Sequence, residues 1–158
     1  MSQHLQDEVD RYHEDGTPAA AMLIDLDDFK AVNDRYGHLA GDELLRRTAR
    51  AISATVRKGD LTFRYGGDEF LVLLPDTTLE DARMLAHRIV DRLQRFGTAS
   101  AGFDDSPRLS VGVAALEHAT TTADDVLSAA DRALYEAKQA GKGRVAVMRA
   151  GRRIGRTP

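Results

Sequence analysis

Three carboxylates fall within four residues at Asp25-Leu26-Asp27-Asp28, and two more, Asp68 and Glu69, follow the paired glycines Gly66 and Gly67. Acids in turns are ordinary, because a short carboxylate bonds to its own backbone there. Here each cluster adjoins an apolar run: AAAMLI leads into the first, and FLVLLP follows the second. If those runs are neighbouring strands, acids far apart in sequence meet at one end of a sheet. An oxygen-only set of this kind suits Mg²⁺, which takes one or two carboxylates and fills its remaining positions with substrate phosphates and water. An EF-hand loop fits poorly, since Phe29 and Lys30 stand where that loop needs a ligand and a glycine.

Between the acid clusters runs FKAVNDRYGHLAGDELL. An ionised carboxylate such as Asp42 accepts from both N1–H and the N2 amino group of guanine, whereas adenine offers an acceptor at N1 and is rejected. The Asn33 amide both donates and accepts, and adds a second contact. Both residues also have purely structural readings, Asn33 as a helix cap and Asp42 as a first-turn acid favoured by the helix dipole. Lys30 after the acid loop, with Lys138 and Lys142 at the end of the last helix, offers cations for phosphate. Lysine at a helix C-terminus is favoured by the dipole alone. There is no GxxxxGK[ST] segment, so a triphosphate is not held as in a P-loop.

The elements that must position these groups are legible from periodicity and punctuation. Leu5 to Tyr12 reads as a short lead-in helix ended near Gly16 and Pro18, and Ala19 to Ile24 as a buried strand. A charged loop is expected next, then a helix from about Gly41 with Leu45, Ala49, Ile52 and Val56 on its core face. LTFRY and FLVLLP flank the GGDE turn as a hairpin, with the two glycines expected to supply positive φ. Thr78 caps a helix striped by Ala82, Leu85, Ile89, Leu93 and Phe96. Leu109 to Ala115 alternates as a strand. Thr122 to Gln139 is a helix with Val126, Ala130, Ala133 and Ala137 inward, stopped by Gly141, and Arg144 to Met148 is a last strand. The order β-α-β-β-α-β-α-β implies an α+β fold, a central, mostly antiparallel five-stranded sheet flanked by helices.

Taken together, these residues resemble the GGDEF family of diguanylate cyclases. The signature turn is Arg64-Tyr65-Gly66-Gly67-Asp68-Glu69-Phe70, and Asp25 through Asp34 followed by Gly37-His38 and Gly41-Asp42 is similar to the family's D-x-D-x-F-K-x-x-N-D-x-x-G-H-x-x-G-D. Ser110 to Ala114, then Ala130 to Lys138 with Gly141 to Arg144, match two further blocks. The resemblance covers roughly residues 19 to 148 and implies a nucleotidyl-cyclase, ferredoxin-like palm. It implies Asp25 and Asp68 as ligands of Mg²⁺ (or Mn²⁺), assisted by the Leu26 carbonyl, and Asn33 and Asp42 as guanine readers. Lys30, Lys138, Lys142 and backbone N–H groups around Phe29 would bind phosphates. Glu69 would hold a second metal or help deprotonate the 3′-hydroxyl, and Gly66 and Gly67 would let the backbone approach the nucleotide. The activity implied is condensation of two GTP into cyclic di-GMP across a homodimer.

Arg57-Lys58-Gly59-Asp60 stands five residues before the paired glycines, where the family's R-x-x-D product-inhibition site lies. Arginine can take guanine's N7/O6 edge bidentately, and Arg88 on the following helix is a further candidate contact. The D-x-L-T-x-L-x-N-R motif that usually precedes the lead-in helix is absent, which bears on coupling to an upstream sensor. The alternatives are a non-catalytic receptor for cyclic di-GMP acting through Arg57 and Asp60, and a cyclase making a hybrid dinucleotide from ATP and GTP. Retention of every signature acid and glycine argues against the first, and retention of Asp42 against the second.

Composition bounds the remaining choices. At 158 residues, 42% apolar and net charge −3, the chain reads as one domain over 1–158, with a core at about 19–148, a lead-in over 1–18 and a basic tail over 149–158. It lacks the basic footprint of a nucleic-acid binder and any apolar run long enough to cross a bilayer. The absence of cysteine excludes a thiolate metal site and fits a reducing cytoplasm, the expected location.

Overall fold

The computed structural model describes residues 2–98, 107–116 and 121–150. In chain order the elements are α1 (Ser2–Asp15), β1 (Ala20–Leu26), α2 (Phe29–Tyr36), α3 (His38–Ser53), β2 (Leu61–Arg64), β3 (Glu69–Leu74), α4 (Leu79–Thr98), β4 (Leu109–Ala115), α5 (Ala123–Gln139) and β5 (Val145–Arg149). The strands form one sheet in the order β2-β3-β1-β4-β5. Among the described residues only the β4–β5 pairing is parallel, so the fold is α+β with a mixed, mostly antiparallel sheet.

β1 is the central strand and is buried along its whole length, which explains its unbroken apolar run. Its side chains alternate between two cores. Met22, Ile24 and Leu26 join Leu44, Ile52, Ile89 and Leu93 from α3 and α4 on one face. Ala21 and Leu23 join Leu5 and Val9 of α1 and Val126, Ala130 and Leu134 of α5 on the other. α5 lies so close to β4 that a side chain at Gly112 would meet the Ala130 carbonyl oxygen at 2.1 Å. That contact fixes the height of α5, and of the lysines at its end, above the sheet.

The helix caps follow the sequence. Thr78 Oγ1 accepts from Asp81 N–H at 3.2 Å, and Thr122 with Asp125 makes a reciprocal capping box at the start of α5. Three expectations need correction. The charged loop after β1 is the helix α2, and α3 begins at His38 rather than Gly41. Phe29 and Val32 of α2 pack on the core from a helix with no fully buried residue, which leaves a weak apolar stripe. Gly66 and Gly67 do not have positive φ; that conformation belongs to Gly16, Gly37, Gly141 and Gly143. Finally, Lys142 lies beyond α5, in the left-handed region at φ 61°. The side-chain packing of Phe96 and the tail from 151 lie outside the described residues.

Candidate active site

β1 runs through Asp25 and Leu26, two residues past its expected end, and pairs antiparallel with β3 so that Asp25 stands opposite Glu69. The Leu26 N–H donates to the Asp68 carbonyl at 3.2 Å. The two acid clusters therefore meet at one end of the sheet. The turn between them is braced by Tyr65 N–H on the Glu69 carbonyl at 2.8 Å and by Arg64 on the Gly67 carbonyl at 2.7 Å. A side chain at Gly66 would lie 2.6 Å from Glu69 Oε2, whereas Gly67 faces open space. The glycines thus serve clearance: one for a neighbouring carboxylate, the other for whatever approaches the turn.

Asp25 is 7% exposed and pairs with Lys138 Nζ at 2.8 Å. Burial outweighs that lysine and pushes the Asp25 carboxyl above its usual range, with Asp68 and Glu69 adding repulsion. Among the described residues no three His, Cys, Asp or Glu side chains close around a point. What converges is a set of carboxylates whose mutual repulsion an added cation relieves, all of them hard oxygen donors. That set fits a hard divalent ion whose remaining positions are filled by phosphate and water.

Asp28 is the N-cap of α2, in the left-handed conformation at φ 57°, and its side chain makes no capping bond. It pairs instead with Lys142 Nζ at 2.6 Å and faces Arg108 at 3.6 Å, and the Lys142 bond holds its carboxyl below the usual range. The first backbone bond into α2 is Val32 N–H to the Asp28 carbonyl at 3.2 Å. The N–H groups of Phe29, Lys30 and Ala31 are therefore the orphan donors of a helix start, a setting that suits anions. The Lys30 side chain is exposed beside them.

Asn33 sits within α2 and is not its cap. Its Oδ1 occupies the space a side chain at Gly41 would need, 2.0 Å from that Cβ position, one residue from Asp42. Asp42 is exposed, in the second turn of α3, where the dipole of the first turn does not account for it. It lines a cleft of about 550 Å³ with Leu45, Arg46, Ala49, Ser53, Thr62, Arg64 and Phe70. Arg46 and Arg64 had no role in that cleft by sequence; Arg46 lies one helical turn from Asp42, and Arg64 immediately precedes the signature turn's Tyr65.

The Arg57–Asp60 segment closes on itself. Arg57 N–H donates to Asp60 Oδ2 at 2.8 Å and its Nε to Oδ1 at 3.2 Å. The same guanidinium reaches the β3–α4 turn, donating to the Pro75 carbonyl, to the Asp76 carbonyl at 3.3 Å and to Thr77 Oγ1 at 3.1 Å. Arg88 is exposed on α4, one turn before Arg92, which donates to the Ala54 carbonyl at 2.7 Å. The structure joins Arg57 to Asp60 and places Arg88 on the neighbouring helix.

Comparison with known proteins agrees with this arrangement. A family model described as "Diguanylate cyclase, GGDEF domain" matches residues 1–144. Diguanylate cyclase DgcP of Pseudomonas aeruginosa is 39% identical over 147 residues, covering 93% of this chain and 22% of that protein. Response regulator PleD of Caulobacter vibrioides is 40% identical over 149 residues, covering 92% of this chain and 32% of that protein. The chain thus spans under a third of the length of these curated relatives. Among solved structures, the active GGEEF domain of a diguanylate cyclase from Vibrio cholerae superposes with TM-score 0.83 at 30% identity, covering 95% of both chains. The GGDEF domain of DgcB from Caulobacter crescentus, solved with c-di-GMP, gives TM-score 0.83 at 26% identity over 92% of this chain and 86% of that one. By sequence, by fold and by the meeting of its signature turn with the β1 acids, the chain belongs to the GGDEF diguanylate cyclase domain family.

Proposed function

We propose that this domain condenses two molecules of GTP into cyclic di-GMP, releasing pyrophosphate. The observation that carries the reading is the convergence, at one sheet end, of Asp25 from β1, Asp68 from the β2–β3 turn, Glu69 at the start of β3, Lys138 near the end of α5 and Lys142 in the turn beyond it. Carboxylates and ammonium groups interleaved in this way match a metal-bound triphosphate, with each sign facing its opposite. No helix among the described residues is long and apolar enough to cross a membrane.

Asp25 and Asp68, with the Leu26 carbonyl, would hold Mg²⁺ or Mn²⁺. Such an ion neutralises phosphate charge and acidifies a coordinated hydroxyl. Lys138 and Lys142, which neutralise Asp25 and Asp28 in the free protein, transfer to the phosphates, joined by Lys30 and the free N–H groups at the start of α2. Asp42 on the cleft and Asn33 beside Gly41 would read guanine, and the open face at Gly67 leaves room for the nucleotide. The 3′-hydroxyl oxygen of one GTP bonds to the α-phosphorus of the other as the α–β phosphoanhydride bond breaks and pyrophosphate leaves. Its proton passes to Glu69 or to solvent. Most of the acceleration comes from positioning and preorganised charge. One domain offers one such set, so two copies must face each other, and two attacks close the ring.

Arg57 and Arg88 would supply a product site, with the buried Asp60 carboxylate holding the Arg57 side chain in place. The Arg57 guanidinium keeps an exposed edge for a guanine N7/O6 face while anchored on the 75–77 turn. The test is incubation with GTP and Mg²⁺, with products separated by chromatography. The reading predicts cyclic di-GMP and two pyrophosphates per ring, and loss of both in Asp68→Asn at unchanged melting temperature. Full activity in that variant would remove Asp68 from the metal site.

A further inference from the structure

We infer that Asp27, the middle acid of the first cluster, is a positioning residue that sets Lys142 for phosphate and ties it to the metal-binding strand. This rests on the proposed GTP site and adds a residue to it. Asp27 is 8% exposed and therefore unsuited to contact a nucleotide directly. Its carboxylate is fully engaged by protein: Ser110 Oγ donates to Oδ1 at 2.7 Å, and the Gly143 N–H donates to Oδ2 at 2.8 Å. Its own N–H donates to the Arg108 carbonyl at 3.0 Å. One buried charge thus joins the end of β1, the start of β4 and the turn that leads from α5 into β5.

That turn is strained. Lys142 at φ 61° is a non-glycine residue in the left-handed region, a conformation that is disfavoured for a residue with a Cβ and persists only when its surroundings fix it. Glycine fills the positions on either side, Gly141 at φ 113° and Gly143 at φ 61°, so lysine at 142 stands where the backbone would favour a third. Three bonds hold the conformation: Lys142 N–H to the Ala137 carbonyl at 3.1 Å, Lys142 Nζ to Asp28 at 2.6 Å, and Gly143 N–H to Asp27. The Asp28 bond is the one a phosphate must displace. With it gone, Asp27 is the remaining anchor from β1, and without Asp27 the lysine is free to relax away from Asp25, two residues up the same strand. Asn retains a carbonyl for Gly143, and its amide can donate to Ser110 Oγ, so Asp27→Asn keeps the anchor without the charge.

The test is calorimetric binding of GTP with Mg²⁺ to the full chain under conditions too brief for turnover, in wild type, Asp27→Ala, Asp27→Asn, Lys142→Ala and the Asp27→Ala/Lys142→Ala double variant. Asp27→Ala should weaken binding on the order of tenfold, as expected for loss of one charge-assisted phosphate contact. Asp27→Asn should stay within about threefold of wild type on the same scale. The double variant should bind no more weakly than Lys142→Ala alone, because the two residues act as one unit. As a control, Asp27→Ala and Lys30→Ala should add. Additive losses of Asp27→Ala with Lys142→Ala, or equal weakening by Ala and Asn, would overturn the inference and leave the GTP site standing. Wild type that binds no GTP would overturn the proposed function and this inference with it.

Discussion

A carboxylate that reads a base is judged by what it faces, and Asp42 faces a cleft rather than a helix dipole. The two donors of guanine need two acceptor sites, which a carboxylate has and an amide lacks. Asp42→Asn should therefore raise the KM for GTP by about tenfold to a hundredfold, the worth of a hydrogen bond to a charged group. Melting temperature should be unchanged, since the residue is exposed; an unaltered KM would place the base elsewhere. At this scale the sequence was most informative where acids adjoin apolar runs: burial of AAAMLI and FLVLLP forces Asp25 and Asp68 together. It was least informative where a partner is remote. Asp27 is one acid among three by sequence, and its role appears only through Ser110 and Gly143, 83 and 116 residues away. The paired glycines were assigned to a turn correctly, but positive φ is not what the turn needs of them, and clearance at Gly66 depends on where Glu69 Oε2 lies.

Among the elements, α2 hid best. FKAVNDRY carries charges on most of its surface, and an inward pair of Phe29 and Val32 is too short a stripe to stand out from a loop. β1 and α5 were legible because one is buried on both faces and the other has an alanine stripe, with Gly112 of β4 marking where α5 presses closest on the sheet. α1 carries a titratable burden that periodicity could not show. Glu8 is 8% exposed, pairs with Arg11 at 2.7 Å, and leaves Oε2 without a partner. Burial pushes its carboxyl up against the pull of Arg11, with Asp76 and Asp7 adding repulsion. The native state therefore binds this proton more tightly than the unfolded chain does, and stability falls as pH rises from the usual carboxylate range to the raised value. Glu8→Gln should stabilise the protein by about 1 kcal/mol at pH 8, with the gain fading toward pH 4, when followed by urea unfolding. A gain independent of pH would assign the effect to packing. The α3–β2 and β3–α4 turns are linked by Arg57, which binds its own Asp60 and three groups of the 75–77 segment. Arg57→Ala should relieve inhibition by cyclic di-GMP with the initial rate unchanged, and should also cost about 1–2 kcal/mol of stability through those lost bonds. Persistent inhibition would move the product site.

As a whole molecule the domain presents, on the proposed mechanism, one half of a reaction. On the proposed reading the sheet end would carry one acid set for metal, one group of lysines for phosphate and one cleft for guanine, while the product needs two nucleotides joined twice. Leu39, 84% exposed at the start of α3, and Tyr65, 47% exposed at the signature turn, place apolar surface on the segments that flank the site. Such surface is suited to a facing copy. Catalysis by a pair that forms and parts should depend on protein concentration in a way that a self-contained active site does not. The most direct measurement is the initial rate of cyclic di-GMP formation at saturating GTP and Mg²⁺ over a wide range of protein concentration, with the product identified by chromatography. Catalysis by two facing domains should give cyclic di-GMP at a rate that rises more steeply than linearly with protein at the dilute end. A rate strictly proportional to protein down to the lowest concentration would contradict catalysis by two facing domains, and the absence of cyclic di-GMP at every concentration would contradict the cyclase itself.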